Sequence, residues 1–166
     1  SGSRAGYAAD VFSIAQLPPA SGGQALALSG TTVAGGTWSM DVQGAGKVVV
    51  INVWGSWCPP CVAETPALQG AWAAYEKAGK PVVFVGIDTM EAPETGLAFL
   101  RAKGVTFPSI NDQANQGAPV LALQGKAPAT PTTLVLDRQG RVAARVLGPT
   151  SEVTVRALVD AVLAEA

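Results

Sequence analysis

Residues 47–61 read KVVVINVWGSWCPPC, an apolar run followed almost at once by both cysteines of the chain. Residues 47–54 are rich in Val and Ile, which is typical of a central strand covered on both faces. Cys58 and Cys61 have C-x-x-C spacing. Because this spacing directly follows a strand and precedes a helix-like segment, it indicates a dithiol redox centre.

A metal site is the first alternative for a C-x-x-C pair. A closed zinc site needs about four Cys, His or carboxylate ligands, and the chain has 2 Cys and no His. We therefore predict no metal ion and no cofactor other than the redox-active disulfide itself. A purely structural disulfide, or a pair of buried inert thiols, is the remaining alternative.

Composition describes a protein with a large core and little net charge. Hydrophobic residues make up 48% of the 166 residues and charged residues 14%, as expected for one folded domain. The 11 Lys and Arg nearly balance the 12 Asp and Glu, and no basic stripe is visible, so we expect no nucleic-acid partner. The apolar runs are much shorter than the ~20 residues that span a bilayer.

The N-terminal residues and the cysteine usage bear on domain limits and cell compartment. We predict that residues 1–9 are a tail beginning with a cloning remnant, Ser1-Gly2-Ser3, and that residues 10–166 form a single domain. A single C-x-x-C pair without further cysteines suits an oxidising compartment. We therefore expect an extracytoplasmic location, in the periplasm or on the outer face of the cell membrane, with an N-terminal anchor preceding residue 1.

Hydrophobic periodicity and turn residues predict the order β–α–β–α–β–(α)–β–β–α behind an N-terminal β-hairpin. Predicted strands cover 25–28, 37–42, 47–54, 81–88, 105–110, 131–137 and 142–147; predicted helices cover 58–77, 92–103, 120–123 and 151 onward. Pro66 should kink or restart the first helix. Right-handed crossovers make the early strands parallel, and the last hairpin should form an antiparallel edge. The fold class is therefore α/β, a central mixed sheet flanked by helices.

The position of Cys58 predicts how the pair reacts. A helix N-terminus offers unpaired backbone N–H groups and positive dipole charge, which favour a thiolate. Cys58 is thus the predicted nucleophile, and Cys61, one turn further on and less exposed, the resolving thiol. Pro59 and Pro60 stiffen the turn between them.

The segment Val53–Cys61 (VWGSWCPPC), followed by Glu64, Pro66, Gly125 and Thr130–Thr133 (TPTT), resembles the thioredoxin superfamily. Within it, the chain most resembles the TlpA/ResA-like branch of thiol–disulfide oxidoreductases, over residues 25–166. The resemblance implies a thioredoxin-like fold and an enzyme that exchanges disulfides.

The resemblance also implies a substrate-binding rim around the dithiol. The family's cis-proline matches Pro131, which would place the backbone of Thr130 beside the cysteines to hold a substrate strand. Ala127-Pro128 is the competing candidate. Trp57, together with Pro59 and Pro60, would complete the substrate-binding residues.

An acidic residue of this branch matches Glu64, which would exchange a proton with Cys61 if burial raises its pKa. The alternative is a solvated Glu on the helix surface. The buried Asp of ordinary thioredoxins falls at Asn52, which cannot titrate, so any acid serving the site must be Glu64. Met90, Glu91 and Pro93 follow the second strand and should lie at the same end of the sheet, where we hypothesise a substrate role.

Members of this branch often reduce the haem-attachment cysteines of apocytochrome c, with electrons from a membrane thiol-transfer protein. The resemblance therefore implies a monomeric extracytoplasmic reductant with these partners. One alternative is a Dsb-like oxidant that forms disulfides in secreted proteins. Two others are a copper- or haem-handling binding module, because Cu(I) accepts two thiolates, and a redox-silent interaction domain.

Overall fold

A computed structural model describes residues 14–21 and 23–165 of the chain, so the predicted tail at 1–9 lies outside the described residues. The strands are β1 (Ile14–Gln16), β2 (Ser29–Thr31), β3 (Thr37–Ser39), β4 (Val48–Trp54), β5 (Val82–Asp88), β6 (Ser109–Asn111), β7 (Thr132–Leu136) and β8 (Val142–Leu147). The helices are α1 (Pro59–Lys77), α2 (Pro93–Ala102), α3 (Ala118–Leu121) and α4 (Glu152–Leu163), with short 3₁₀ turns at Pro19–Ser21 and Gln113–Asn115.

The main sheet has six strands in the order β1-β8-β7-β4-β5-β6, and β2 and β3 form a separate hairpin. Strands β4, β5 and β6 are parallel, as right-handed crossovers predict, whereas β7 runs antiparallel to β4. The α/β class and the mixed sheet are therefore confirmed. The prediction that the last hairpin forms the edge is wrong, because β1 pairs antiparallel with β8, aligning Ile14 with Val146.

Strand β4 is buried along its whole length because both of its faces are covered. Val48 and Val50 pack with residues of α1 and α4 such as Leu68 and Val155. On the opposite face, Val49 and Ile51 pack with residues from the N-terminal region and from β7. The unbroken apolar run in the sequence follows from this double coverage.

Helix α1 starts as predicted and runs to Lys77 as one element that contains Pro66. The expected restart at Pro66 is therefore not seen. The final helix α4 begins after Ser151, whose side chain accepts a hydrogen bond from the N–H of Thr154 and so caps the helix.

The remaining differences from the predicted elements have local causes. The first hairpin strand lies at Ser29–Thr31 and not at 25–28, although Leu26 and Leu28 of the predicted stretch do pack in the core. Strand β6 begins only at Ser109, because Pro108 has no N–H to donate to a ladder. Helix α3 starts at Ala118, earlier than predicted, after Gly117 in the left-handed region at φ 78°.

Candidate active site

Cys58 and Cys61 form a disulfide at the junction between β4 and α1. Cys58 is the N-cap residue of α1, and its Sγ lies 3.3 Å from the backbone nitrogen of Cys61, whose N–H points at it. Pro59 and Pro60 occupy the first turn, where no N–H donor is required. This geometry places backbone N–H and the positive end of the helix dipole next to the sulfur that was predicted to carry the negative charge.

Both cysteines are buried in this disulfide-bonded state. The exposed fraction is 3% for Cys58 and 2% for Cys61, so the two residues hardly differ in exposure in this state. The residues that flank them are open to solvent: Trp57 is 46% exposed, and Pro59 and Pro60 are also exposed. The buried disulfide is therefore bordered by exposed neighbours, whose contact with substrate stays a prediction.

The peptide bond between Thr130 and Pro131 is cis, which confirms the proline predicted from the family resemblance over Ala127-Pro128. The carbonyl oxygen of Thr130 lies 3.9 Å from Cys58 Sγ. Thr130 is exposed whereas Pro131 is buried at the start of β7. The structure thus places the Thr130 backbone beside the disulfide; its contact with substrate stays a prediction.

Glu64 is buried, with 3% of its surface exposed, and is not a solvated surface residue. It lies three residues after Cys61 on α1, a spacing that puts both on neighbouring positions of one helix face. One carboxylate oxygen accepts a 2.8 Å hydrogen bond from the amide of Asn52, and the other accepts one of 3.1 Å from the backbone N–H of Thr150. Sequence analysis identified Glu64 and Asn52 but missed Thr150.

Burial raises the pKa of Glu64 to about 7, although the hydrogen bonds from Asn52 and Thr150 favour the ionised form and oppose this shift. Asn52 also donates to the hydroxyl of Thr133 at 3.1 Å, so the amide is held from both sides. A carboxyl group with a pKa near neutrality can both take up and release a proton at physiological pH. Glu64 therefore has the burial and the pKa expected of an acid–base group, and its part in proton transfer stays a prediction.

A second buried carboxyl group, at the same end of the sheet as the disulfide, was not identified from the sequence. Asp88, the last residue of β5, is fully buried, and its Oδ2 accepts a 3.1 Å hydrogen bond from Asn111. Burial, followed by the hydrogen bond and negative charge of Glu91, raises the pKa of Asp88 to about 9. The sequence did contain a sign of this group, because Asp88 is an acidic residue that ends an apolar strand at the same end of the sheet as the cysteines.

Glu91 lies at the predicted end of the sheet and contacts the segment that precedes Cys58. Its carboxylate accepts hydrogen bonds from both the backbone N–H (2.9 Å) and the hydroxyl of Ser56. Burial disfavours its ionised form, but hydrogen bonds from Asp88 and Ser56 outweigh burial and lower the pKa of Glu91. Asp88 is therefore the protonated partner and Glu91 the ionised one.

Met90 and Trp57 add exposed apolar surface at this end of the sheet. Met90 is 79% exposed and has a φ of 59°, in the left-handed region. The indole N–H of Trp57 donates a 2.8 Å hydrogen bond to the carbonyl oxygen of Thr89. The predicted positions of both residues are confirmed, whereas a role for them in substrate binding remains a hypothesis. None of the helices in the described ranges combines the length and apolar character needed to cross a membrane.

Curated proteins of similar sequence are thiol–disulfide enzymes. The thiol-disulfide oxidoreductase ResA of Geobacillus thermodenitrificans is 34% identical over 104 residues, which cover 62% of this chain and 56% of ResA. The thiol:disulfide interchange protein HelX of Rhodobacter capsulatus is 29% identical over 120 residues, covering 72% of this chain and 62% of HelX. The chain therefore matches little more than half the length of these relatives.

Solved structures of similar fold cover nearly the whole chain. A secreted thiol-disulfide isomerase from Corynebacterium glutamicum has a TM-score of 0.78 and 26% identity, covering 96% of this chain and 96% of that one. A DsbF homologue from Corynebacterium diphtheriae has a TM-score of 0.74 and 25% identity, with 93% and 96% coverage.

The family model described as the AhpC/TSA family matches residues 21–145, which include the disulfide, Glu64 and the cis-proline. Together with the thioredoxin-like structures, this match confirms the superfamily that the cysteine motif and Thr-Pro pair indicated. The chain belongs to the AhpC/TSA family of the thioredoxin superfamily.

Proposed function

We propose that the protein is a thiol–disulfide oxidoreductase whose reactive pair is Cys58 and Cys61. The observation that carries the proposal is the disulfide at the N-terminus of α1, with the Cys61 N–H directed at Cys58 Sγ. A thiolate at Cys58 gains this hydrogen bond and the helix dipole, which makes it the better nucleophile of the two. The names of the relatives support this activity.

In the reductive direction, the Cys58 thiolate attacks one sulfur of a substrate disulfide. A mixed disulfide forms, and the other substrate sulfur leaves as a thiolate. The Cys61 thiol then gives up its proton, and its thiolate attacks the sulfur of Cys58. This step restores the Cys58–Cys61 disulfide and releases the second substrate thiolate, so two electrons pass from the dithiol to the substrate.

Glu64 takes the proton of Cys61 in this proposal. Its carboxyl group is buried on the same helix, and its pKa is about 7. The hydrogen bonds from Asn52 and Thr150 hold it in place as a carboxylate and as an acid. In the oxidative direction the same group would return the proton to Cys61.

We further propose that the substrate is the disulfide of an apocytochrome c haem-attachment site and that a membrane thiol protein supplies the electrons. The resemblance to the TlpA/ResA-like branch supports this substrate and an extracytoplasmic location, with a tether before residue 1. The likeness to a secreted thiol-disulfide isomerase and to a DsbF homologue favours a second candidate, an enzyme that forms or rearranges disulfides in secreted proteins.

Trapping tests the substrate. In Cys61→Ser the resolving thiol is missing, so the mixed disulfide at Cys58 should accumulate with an oxidised peptide that contains C-x-x-C-H. Cys58→Ser should trap nothing, and the same peptide with both cysteines replaced by serine is the matched substrate control. In the opposite result, Cys61→Ser fails to trap the oxidised peptide but forms mixed disulfides with reduced secreted proteins when an oxidant is added. That result would favour the second candidate.

The reduction potential tests the direction. A reductant should have a potential in the thioredoxin range of about −270 mV, and a value near −120 mV would identify an oxidant. Insulin reduction driven by dithiothreitol tests the exchange activity itself. Wild type that is no faster than Cys58→Ser would contradict the proposed activity.

A further inference from the structure

The segment Asp88–Glu91, which we call the clasp, holds the residues just before Cys58 through contacts that the mechanism above does not use. The N–H and hydroxyl of Thr89 both donate to the carbonyl oxygen of Trp54, at 2.9 and 3.1 Å. The carbonyl oxygen of Thr89 accepts the 2.8 Å hydrogen bond from the indole of Trp57. The clasp therefore contacts both ends of the turn that leads from β4 to the nucleophile.

Glu91 makes the charged contact of the clasp. Its carboxylate accepts two hydrogen bonds from Ser56, the residue between those ends of the turn. Hydrogen bonds to an ionised acceptor are stronger and more directional than those between neutral groups. Glu91 thus fixes the backbone one residue before Trp57 and two before Cys58.

The clasp is itself anchored from behind. The amide of Asn111 donates both to Asp88 Oδ2 and to the carbonyl oxygen of Glu91, each at 3.1 Å. Met90 holds the turn between Thr89 and Glu91 at φ 59°, a conformation that residues with a Cβ rarely adopt. Backbone conformations of high energy that are maintained by surrounding contacts are frequent in functional sites.

We propose that Glu91 is a positioning residue for disulfide exchange: through Ser56 it fixes Trp57 at the rim over which a protein substrate reaches Cys58. The proposal rests on the exchange activity proposed above and not on its direction. Since Cys58 is 3% exposed whereas Trp57 is 46% exposed, the indole lies where a substrate must dock. Small displacements of such a docking group can cost up to about a hundredfold in rate.

Comparing a protein disulfide with a small disulfide tests this role. Glu91→Ala should lower kcat/KM for insulin reduction by on the order of tenfold, mainly through KM, because docking is impaired. The reaction of reduced Cys58 with the small aromatic disulfide 5,5′-dithiobis(2-nitrobenzoate) should stay within about twofold of wild type, since that reagent needs no docking surface. Glu94→Ala is the matched control, because Glu94 is an exposed residue in the first turn of α2.

Two further variants separate positioning from loss of charge or stability. Glu91→Gln keeps an oxygen for the Ser56 N–H and should retain most of the insulin activity. Ser56→Ala should lower insulin activity less than Glu91→Ala does, and the double variant should be no worse than Glu91→Ala alone. Equal losses on insulin and on the small disulfide, or additive effects of the two substitutions, would overturn the positioning role.

A measurement without substrate keeps this test separate from the proposed activity. In an NMR spectrum, the indole N–H of Trp57, assigned with Trp57→Phe, should exchange with solvent about tenfold faster in Glu91→Ala than in wild type or Glu94→Ala. An unchanged exchange rate of the Trp57 indole N–H in Glu91→Ala would refute the positioning role of Glu91, even if that variant also fails to reduce insulin. If wild type did not reduce insulin but the indole N–H still exchanged faster in Glu91→Ala, the proposed activity would be refuted. The positioning of Trp57 by Glu91 would still be supported.

Discussion

Glu64 and Asp88 are both buried carboxyl groups at the end of the sheet that carries the disulfide, but their neighbours differ. Glu64 accepts hydrogen bonds from two neutral N–H donors, the amide of Asn52 and the backbone of Thr150. Asp88 accepts one from Asn111 and faces the carboxylate of Glu91. Burial raises both pKa values, yet Glu64 stops at about 7 whereas Asp88 reaches about 9.

This difference shows that the neighbours, more than burial alone, determine what a buried acid can do. Neutral donors stabilise the carboxylate, which brings Glu64 into the range where it gains and loses a proton at physiological pH. A carboxylate neighbour has the opposite effect, so Glu91 favours the protonated form of Asp88. One group is suited to proton transfer, and the other to holding structure.

The largest expected effect is a loss of rate when Glu64, the group suited to proton transfer, is replaced. Glu64→Gln should slow resolution of the mixed disulfide by Cys61 by about a hundredfold at neutral pH, as expected when a general base is removed. In wild type this step should speed up as pH rises through about 7, where Glu64 ionises. The variant should lack that inflection.

Stopped-flow measurement of the two steps across pH checks this prediction, and the attack by Cys58 serves as the internal control. That first step should change little in Glu64→Gln. The same pH profile for the Cys61 step in the variant and in wild type would rule out Glu64 as the proton acceptor.

Asp88→Asn tests whether Asp88 is protonated in the folded protein and serves a structural role. Asp88 has a pKa of about 9 in the folded protein and about 3.9 when unfolded, so between these values only the folded state holds the proton. The free energy of unfolding of wild type therefore falls as pH rises through this window. The asparagine has no such dependence, because its amide stays neutral while accepting from Asn111 and donating toward Glu91.

Relative to wild type, Asp88→Asn should therefore gain roughly 4 kcal/mol between about pH 5 and pH 8, because one proton changes the free energy of unfolding by about 1.4 kcal/mol per pH unit over this interval. Urea unfolding at several pH values measures this difference, with Glu94→Gln as the exposed control. A gap between variant and wild type that does not change with pH would contradict the assignment of the proton to Asp88.

Asn52→Asp would convert the surroundings of Glu64 into those of Asp88. The substitution replaces a neutral donor with a second carboxyl group, so one carboxyl of the new pair should have a pKa at least about one unit above that of Glu64 in wild type. The inflection of the Cys61 step should move upward by the same amount. Asn52→Ala, which removes the donor without adding charge, should move it less.

The smallest effect is expected for an exposed carboxylate. Glu152 pairs with Arg156 at 3.3 Å on the surface of α4, and both side chains are more than 40% exposed. Glu152→Gln should change the free energy of unfolding by at most about 0.5 kcal/mol, because solvent screens such pairs. Thermal unfolding measures this change. A larger loss of stability in Glu152→Gln would show that exposed and buried carboxyl groups differ less in their contribution to stability than we infer.

Much of the fold could be predicted because its central elements have strong local patterns. The apolar runs that became β4 and β5, and the prolines that open α1, were legible in sequence. Strand β1 was missed because it has three residues and exists through pairing with β8, which no local pattern records. Strand β6 was placed too early because the effect of Pro108 on the ladder was overlooked.

The candidate site was predictable where a residue type carried the chemistry. The cysteines, Glu64 and the cis-proline were found from the motif and the family resemblance, and Asn52 was singled out because it replaces an acid. Thr150 could not be found, because its contribution is a backbone N–H that any residue could supply. The pairing of Asp88 with Glu91 depends on a left-handed turn at Met90, a residue that gives no sign of that conformation in sequence.

The N-terminal hairpin also covers part of one edge of the main sheet. Strand β6 is the last strand of the main sheet on its side, and an edge of this kind can pair with another chain. Thr32, which follows β2, forms a bridge to Ile110, and the N–H of Val33 donates to the carbonyl oxygen of Ser109. The hairpin therefore occupies backbone groups at the β6 edge that would otherwise be open to pairing with a strand of a second molecule.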